Sequence, residues 1–249
     1  MMFEIRVLEG LEYEHKYVNE ADPGLNDASV LVPMLEDAFG MRLVFDARIS
    51  QQKSYLDSPE LFFARRAASL EVRDNPGCLH IKYPEYKTGG VYKELDYLFT
   101  PSTSVTEDIL TDERFWLIPA SSSVQDLSSS KGIPTEIRRT VDLVVKREYF
   151  RVIANDLIEY GDCFAFDCIV VFDDVVARVN DGPEHRFFEV ELELTRSIPR
   201  SGSHFQAVGG GLEQLGFARS IFSKYHRSLM TAGILAPDEV KRYYDLHAW

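Results

Sequence analysis

The chain has 249 residues, of which 45% are hydrophobic and 12% aromatic, and it carries 40 acidic against 27 basic side chains, for a formal net charge of −13. This composition is typical of a soluble globular protein and argues against a surface for nucleic acid or anionic membranes. The cysteines Cys78, Cys163 and Cys168 are odd in number and lack Cys-x-x-Cys spacing. We therefore expect a reducing compartment and a cytoplasmic protein. The N-terminus does not have the form of a signal peptide, and no run of about 18 apolar residues predicts a membrane span.

Short strands separated by turns are predicted over the first hundred residues. "LEYEHKYV" predicts an opening strand, and "SVLVPMLEDAFGM" places apolar residues at helical spacing before a glycine, which predicts a short helix. Antiparallel strands are predicted by the alternation in "RLVFDARISQQKSYLD", "RRAASLEVRD", "CLHIKYP" and "VYKELDYLF". Residues 100–137 are serine-rich with little periodicity, so we expect an insertion here rather than a domain.

Strands and then helices follow the insertion. "RTVDLVVKREYFRVI", "CFAFDCIVVFDDVVARV" and "RFFEVELELT" predict strands, and "NDGPEH" predicts a hairpin between the last two. Residues from about 204 to 249 predict a helical segment, with one helix ending near Gly233 and another starting at the proline of "APDEVKRYYDLHAW". The glycines at 209–211 predict a helix break rather than a phosphate loop, because no Lys-Ser/Thr follows them. The whole predicts one domain over residues 1–249.

One face of the opening strand is charged. Because residues two apart share a face, Glu12, Glu14 and Lys16 point together, and the aromatic residues between them point to the other side. A solvated face is the simpler interpretation of one such strand. The pattern recurs, however, at Glu71 with Arg73, His80 with Lys82, Glu94 with Asp96, and Glu189 with Glu191 and Glu193. A sheet of about eight strands tends to close, and inward charged faces would then form a polar tunnel.

Such a tunnel would be costly unless a charged ligand filled it. A divalent cation with a polyphosphate fits, because carboxylates bind hard cations while lysine and arginine neutralise phosphate oxygens. We therefore expect an α+β fold in which a closed antiparallel β-barrel of about eight strands, flanked by helices, surrounds this site.

The motif Glu12-x-Glu14-x-Lys16 resembles the signature of the CYTH superfamily, the triphosphate tunnel metalloenzymes, which includes class IV adenylyl cyclases, thiamine triphosphatases and inorganic triphosphatases. The segment "LVPMLEDAFG" followed by "QQKSYLD" is similar to the helix of this family and to its Gln and Tyr-x-Asp strand, here Gln51, Tyr55 and Asp57. In the same order, "SLEVRDNPGCLHIKYP", "KELD", "KREYF", "FAFD", "FFEVE" and "SKY" resemble further family segments. The resemblance covers the chain apart from the insertion and the last helix.

The resemblance implies a metal-dependent site inside the barrel. It implies Mg²⁺ or Mn²⁺ as the cofactor, with the ligands Glu12, Glu14, Glu94, Asp96, Glu189 and Glu191. It also implies that the triphosphate contacts Lys16, Arg73, Lys82, Arg147 and Lys224. Glu12, Glu14 and Lys16 would form the catalytic motif. Asp167 matches an acidic position whose role stays open.

The sequence also departs from the family pattern. Glu71 stands where the family has the first arginine of its Leu-Arg-Ile-Arg segment, so an anion replaces a cation there. Tyr92 stands where a basic residue is usual. Lys146 and Arg147 are neighbours, so only one of them can point into the tunnel, and we expect it to be Arg147, with Arg151 on the same face.

Metal-dependent hydrolysis of a small triphosphate, namely inorganic tripolyphosphate, a nucleoside triphosphate or thiamine triphosphate, is the function that the resemblance implies. A class IV-type adenylyl cyclase is the alternative within the same fold. A non-catalytic polyphosphate- or nucleotide-binding module is a second class, favoured by Glu71 and Tyr92, and a scaffold that binds a partner through its acidic surface is a third. We expect a small triphosphate-containing partner, neither nucleic acid nor membrane, and the terminal helix leaves a homodimer open. For His80 we expect a buried, satisfied side chain rather than a metal ligand.

Overall fold

A computed structural model describes residues 5–73, 78–84, 91–99, 136–154, 168–194 and 203–240. Its strands are β1 Ile5–Val18, β2 Met41–Asp57, β3 Ser69–Arg73, β4 Cys78–Pro84, β5 Val91–Phe99, β6 Arg138–Ala154, β7 Cys168–Val179, β8 Glu184–Leu194 and β9 Ala218–Ser220. Its helices are α1 Ala28–Phe39, α2 Ser203–Gln214 and α3 Lys224–Thr231, and short 3-10 turns occur at Pro23–Leu25 and Ala64–Arg66. Within these ranges, none of the helices has the length and apolar character needed to cross a bilayer.

The strands form one antiparallel sheet that curls into a barrel. They are ordered β5-β4-β3-β2-β6-β7-β8-β1, β9 is added to β1, and β5 also pairs with β1. Each of the eight longer strands corresponds to a segment whose alternation predicts a strand. The predicted fold class, an α+β antiparallel barrel with flanking helices, is therefore confirmed.

The barrel is not fully closed, which corrects the prediction of a closed one. β1 pairs with β5 from Ile5 to Tyr13 but, in the described ranges, with β8 only from Glu14 to Tyr17. Strands in a barrel are tilted and staggered, so β1 divides its length between its two neighbours. The β1–β8 seam consequently has few ladder hydrogen bonds.

The outer face of the barrel packs against α1 and α2. Leu31 and Leu35 of α1 and Leu212 of α2 belong to one apolar cluster with wall residues that include Val152, Val170, Phe172, Val190 and Leu192. Tyr17 lies in the same cluster, and the ring of His15 makes an edge contact with Phe205. The aromatic face of the opening strand therefore points outward to the helices, and its charged face points into the barrel.

The interior is apolar at the end that α3 covers. Tyr225 and Leu229 of α3 pack there with Val141, Leu143 and Val145 of β6. Because side chains alternate along a strand, the next inward position on β6 after Val145 is residue 147. The apolar end therefore leads directly to the charged part of the tunnel.

The C-terminal part differs from its sequence prediction in two ways. The helix α2 runs through Gly209 without a break, and a Cβ at this residue would come 2.5 Å from Tyr17 Oη. The glycine thus permits a close approach to β1 and does not end the helix. The segment predicted as wholly helical also contains β9, which pairs with β1 at Lys16–Val18. Of the predicted insertion at 100–137 only residues 136–137 are described, and the helix predicted to reach residue 249 is described to residue 240.

Candidate active site

Strand register brings charged side chains together inside the barrel. Residues directly opposite each other on neighbouring strands share a face and lie close enough to interact. Three such opposite pairs join a cation to an anion, namely Lys16 with Glu191, Arg147 with Asp173, and Lys82 with Glu94. Pairing of the wall strands thus neutralises much of the charge that the tunnel contains.

Glu191 lies at the centre of this cluster. Its Oε1 accepts a hydrogen bond of 2.8 Å from Lys224 Nζ and lies 3.4 Å from Lys16 Nζ, and its Oε2 accepts a hydrogen bond from Arg147. Burial favours the neutral acid, but the charges of Lys224, Arg147 and Lys16 hold the pKa of Glu191 well below its ordinary value. The carboxylate therefore stays ionised in the interior.

Two further buried acids adjoin Glu191. Asp173 and Glu189 are wholly buried, and one carboxylate oxygen from each lies within 4.8 Å of the others and of one from Glu191. Glu189 accepts no hydrogen bond from the described residues, although the Lys224 ammonium adjoins its Oε1 and Arg227 Nη2 lies 3.6 Å from its Oε2. Buried carboxylate oxygens with spare acceptor capacity are the ligands that hard divalent cations prefer. The donor set therefore fits a hard divalent cation.

Lys224 is the first residue of α3, and it reaches all three of these acids. Its Nζ lies 2.8 Å from Asp173 Oδ2 and 2.8 Å from Glu191 Oε1. Burial alone would lower the pKa of Lys224, but the neighbouring carboxylates of Asp173, Glu189 and Glu191 raise it above the ordinary value. The ammonium group is therefore a permanent cation at the covered end of the tunnel.

Glu14 and Lys16 of the opening motif are both buried and form an ion pair with each other. Lys82 Nζ lies 2.6 Å from Glu14 Oε1 and 3.7 Å from Glu94 Oε1, so it bridges the two acids. Burial and the nearby charge of Lys82 lower the pKa of Lys16 to about 8. Glu14 also offers an oxygen within 4.8 Å of oxygens from Glu191 and Glu193.

Arg147 is the cation that β6 contributes. Its Nε and Nη2 donate to the two oxygens of Asp173 at 2.7 and 2.6 Å, and its Nη1 lies 3.8 Å from Glu193 Oε1. Lys146 is exposed on the outer face. Arg151, whose position has the same strand parity as that of Arg147, pairs with Asp46, and both of these side chains are exposed.

Glu94 and Asp96 face a histidine. His80 is buried, with its Nδ1 2.7 Å from Asp96 Oδ1 and its Nε2 3.4 Å from Glu94 Oε1. In the part of the chain that is described, neither acid belongs to a group of carboxylates close enough to share one ion. The structure thus places these two residues beside the carboxylate cluster, at the ring of His80.

Glu71, the anion at an expected arginine position, has a cationic partner on the neighbouring strand. Its Oε1 lies 3.4 Å from Lys53 Nζ, and both side chains are nearly buried. The hydroxyl of Tyr55 hydrogen-bonds to Glu71, and burial together with this carboxylate raises the pKa of Tyr55 well above its ordinary value. The lysine on β2 therefore offsets the charge change on β3.

Asp173 and Lys53 were not predicted as members of the site, and Glu193 was predicted on the charged face but not among the ligands. Asp173 is an acid inside the apolar run "CIVVFDDVV", and that contrast was the available signal. Asp167, which matches an acidic position of the family, lies outside the described residues. Glu12 and Arg73 belong to β1 and β3, and their side chains also lie outside the described part.

A cavity of about 80 Å³ lies among these side chains, lined by Glu14, Lys16, Lys53, Lys82, Arg147, Lys224 and neighbouring residues. The cations contact the carboxylates directly, so their side chains occupy much of the tunnel. A ligand that enters must therefore replace ion pairs within the tunnel and balance the charges that it separates.

Solved structures resemble the chain over most of its length, whereas no protein-family model and no curated protein matches it. A candidate adenylyl cyclase from Hippeastrum with a dominant triphosphatase activity has a TM-score of 0.48 and 17% identity, covering 92% of this chain and 98% of that chain. A candidate adenylate cyclase from Bacillus halodurans has a TM-score of 0.44 and 15% identity, covering 95% and 98%. A protein from Pyrococcus horikoshii has a TM-score of 0.42 and 14% identity, covering 89% and 99%. At these low scores, the likeness alone assigns neither a family nor an activity.

Proposed function

We propose that the chain is a CYTH-type enzyme that hydrolyses a small triphosphate inside the barrel with the help of a divalent metal ion. The observation that carries this proposal is the gathering of Lys16, Lys82, Arg147 and Lys224 around buried carboxylates in one cavity. A cavity lined by both cations and anions needs a ligand that carries both positive and negative charge. A metal ion with a phosphate chain does so, and the sequence resemblance independently points to the same ligand.

The metal ion would be held by one of two carboxylate groups that share Glu191, one completed by Asp173 and Glu189 and the other by Glu14 and Glu193. Glu12, Glu94 and Asp96 stay predicted ligands. When bound, Mg²⁺ or Mn²⁺ supplies Lewis-acid stabilisation of phosphate oxygens and a lower pKa for bound water. The carboxylates thus anchor the cation while the other side chains act on the phosphate chain.

The cations would orient the triphosphate and neutralise it. In phosphoryl transfer the transition state spreads negative charge over the transferred group, so the protein contributes mainly positioning and charge. Lys16, Lys82, Arg147 and Lys224 provide that charge from four different elements. Water adds to the terminal phosphorus and one P–O–P bond breaks, so that tripolyphosphate and water give orthophosphate, diphosphate and a proton.

We expect Glu14→Gln and Lys16→Ala to lose metal-dependent hydrolysis while the fold survives. Each change removes charge-assisted contacts, and losing one such contact lowers the rate about 10- to 100-fold. The measurement is phosphate release from tripolyphosphate with Mg²⁺ or Mn²⁺, with circular dichroism to check the fold. Lys146→Ala, which removes an exposed lysine beside Arg147, is the matched control and should keep full activity. Full activity in Glu14→Gln or Lys16→Ala would refute the proposal.

A substrate panel separates hydrolysis from the alternatives within the fold. Tripolyphosphate, ATP and thiamine triphosphate are each incubated with the protein and Mn²⁺, and phosphate, pyrophosphate and cyclic AMP are measured. Phosphate release supports the hydrolase. Cyclic AMP with pyrophosphate would identify a cyclase, and tight binding without turnover would identify a binding module. A cytoplasmic location and a homodimer stay predictions from sequence.

A further inference from the structure

Two residues in segments that resemble the family, Asp57 and Tyr225, have no part in the chemistry proposed above, yet they contact each other. Asp57 is the last residue of β2, in the Tyr-x-Asp segment, and Tyr225 is the second residue of α3, in "SKY". Tyr225 Oη donates a hydrogen bond of 2.8 Å to Asp57 Oδ2 across 168 residues of sequence. This bond ties the helix that carries Lys224 to the end of β2.

Asp57 is wholly buried, and its carboxylate holds the segment after β2 as well as the helix. Its Oδ1 accepts from the backbone N–H of Ser58 at 2.7 Å and of Phe63 at 2.9 Å, and its Oδ2 accepts from Ala64 N–H at 2.9 Å. A buried carboxylate that accepts this many hydrogen bonds is costly to move, because each donor would lose its partner. Asp57, with the backbone of Ser58, Phe63 and Ala64, therefore forms a rigid socket for the Tyr225 hydroxyl.

A second set of contacts fixes the same end of α3. His226 Nε2 lies 3.1 Å from the carbonyl oxygen of Ala64, and because a carbonyl only accepts, this nitrogen carries the proton. His226 Nδ1 then accepts from Ser223 Oγ at 2.6 Å. The ring of Tyr225 also stacks on that of Tyr55, with centroids 4.9 Å apart. The residues on both sides of Lys224 are thus docked.

We propose that Asp57 and Tyr225 are positioning residues, which act through Lys224 to aim its ammonium group at the phosphate chain. Lysine has a long flexible side chain, so its placement depends on where the helix presents its Cα. Neighbouring residues of a helix point about 100° apart, which lets Tyr225 enter the socket while Lys224 enters the tunnel. The inference rests on the proposed function, because it takes Lys224 as a phosphate contact.

The test is a double-mutant cycle on ligand affinity. The probe is the bis-methylene analogue of tripolyphosphate, which is not hydrolysed, and its binding to the full chain with Mg²⁺ is measured by calorimetry. Tyr225→Phe keeps the ring stack and removes only the hydroxyl, and we expect affinity to fall about 5- to 20-fold. Lys224→Met should lower affinity about 10- to 100-fold. In the Lys224→Met background, Tyr225→Phe should cause no further loss, because its effect passes through the lysine.

One control variant and one substitute variant keep the outcome interpretable. Glu239→Gln removes a surface contact with Arg65, next to the same socket but away from Lys224, and should bind the analogue as the wild type does. If Tyr225→Phe is too unstable for calorimetry, Ser223→Ala, which removes the hydroxyl partner of His226, takes its place in the cycle with the same expectation.

The possible failures are distinguishable. Wild-type affinity in Tyr225→Phe, or an equal loss with and without Lys224, would overturn the positioning role and leave the proposed function intact. Wild-type affinity in Lys224→Met would overturn the inference together with the assigned role of that lysine. Failure of the triphosphatase proposal itself would appear separately, in the Glu14→Gln and Lys16→Ala assays.

Discussion

Lys53 and Glu71 explain how the tunnel tolerates an anion at an expected cation position. The two side chains pair across β2 and β3 and line the same cavity as Lys82. A nearly buried ion pair is costly to break from one side, because the remaining charge loses its partner. The pair can therefore be tested by reversing both of its charges.

We predict that Lys53→Glu and Glu71→Lys each lower the free energy of unfolding by about 3 kcal/mol, since each leaves like charges together in the interior. The double variant Lys53→Glu/Glu71→Lys restores an opposite pair and should recover most of the loss. Urea denaturation of the four proteins measures this coupling. Losses that simply add in the double variant would contradict the pairing.

His226 makes the stability of the fold depend on pH. Burial and, to a smaller extent, the charge of Lys16 lower its pKa from 6.5 to about 4. In the unfolded chain this histidine takes up a proton near pH 6.5, whereas in the folded chain it does not. The stabilisation that the neutral His226 gives the fold is therefore complete above pH 6.5 and is lost as the pH falls toward 4. Burial and the charge of Arg219 likewise lower the pKa of His15 to about 4.

We predict that the free energy of unfolding falls by up to about 3 kcal/mol between pH 7 and pH 4 because of His226. His226→Gln retains a donor for the Ala64 carbonyl and removes the titration, so its stability should change less with pH. Urea denaturation of both proteins at several pH values gives the two slopes. Parallel slopes would show that His226 does not titrate as described.

At the scale of elements, α2 shows how a pattern of glycines can mislead. Its three consecutive glycines predict a break, yet the helix is continuous because contact with the barrel wall outweighs low helix propensity. A Cβ at Gly209 would meet Tyr17 Oη at 2.5 Å, whereas one at Gly210 would meet nothing within 4 Å. Gly209 is therefore needed for close packing of α2 against Tyr17, whereas Gly210 is not.

We predict that Gly209→Ala lowers the free energy of unfolding by about 1–3 kcal/mol, because the buried Tyr17 must move. Gly210→Ala should instead raise it by up to about 1 kcal/mol through helix propensity. Thermal and urea unfolding of the two variants measure the difference. Equal effects would mean that α2 does not lie against Tyr17 as described.

The strands and their inward faces could be predicted from sequence, because the period of two in "EYEHKYV" and "FFEVELEL" is local information. The sharing of β1 between β5 and β8 could not be, since register and stagger depend on contacts between distant segments. For the same reason, the sequence could not predict that Lys53 pairs with Glu71 or that Asp173 pairs with Arg147. Each residue was visible in the sequence, but its partner was on another strand.

At the scale of the whole molecule, the cations proposed to bind phosphate are the same ones that neutralise the carboxylates proposed to bind metal. Lys16, Lys224 and Arg147 all contact Glu191. A metal ion alone would leave these cations without their partners, and phosphate alone would do the same to the acids. The two ligands should therefore favour each other's binding.

We predict that Mg²⁺ and the bis-methylene analogue of tripolyphosphate together raise the melting temperature more than the sum of their separate effects. At a ligand concentration 100 times the dissociation constant, the stabilisation is about 2.7 kcal/mol. Differential scanning fluorimetry with each ligand, both and neither measures the shift. Purely additive shifts would indicate independent sites.

The incomplete seam between β1 and β8 has a consequence for biosynthesis. Glu14 meets its ladder partner Glu193 only after most of the chain has left the ribosome, and Tyr225 reaches Asp57 later still. The wall of the tunnel thus cannot be completed until β8 and α3 have been synthesised.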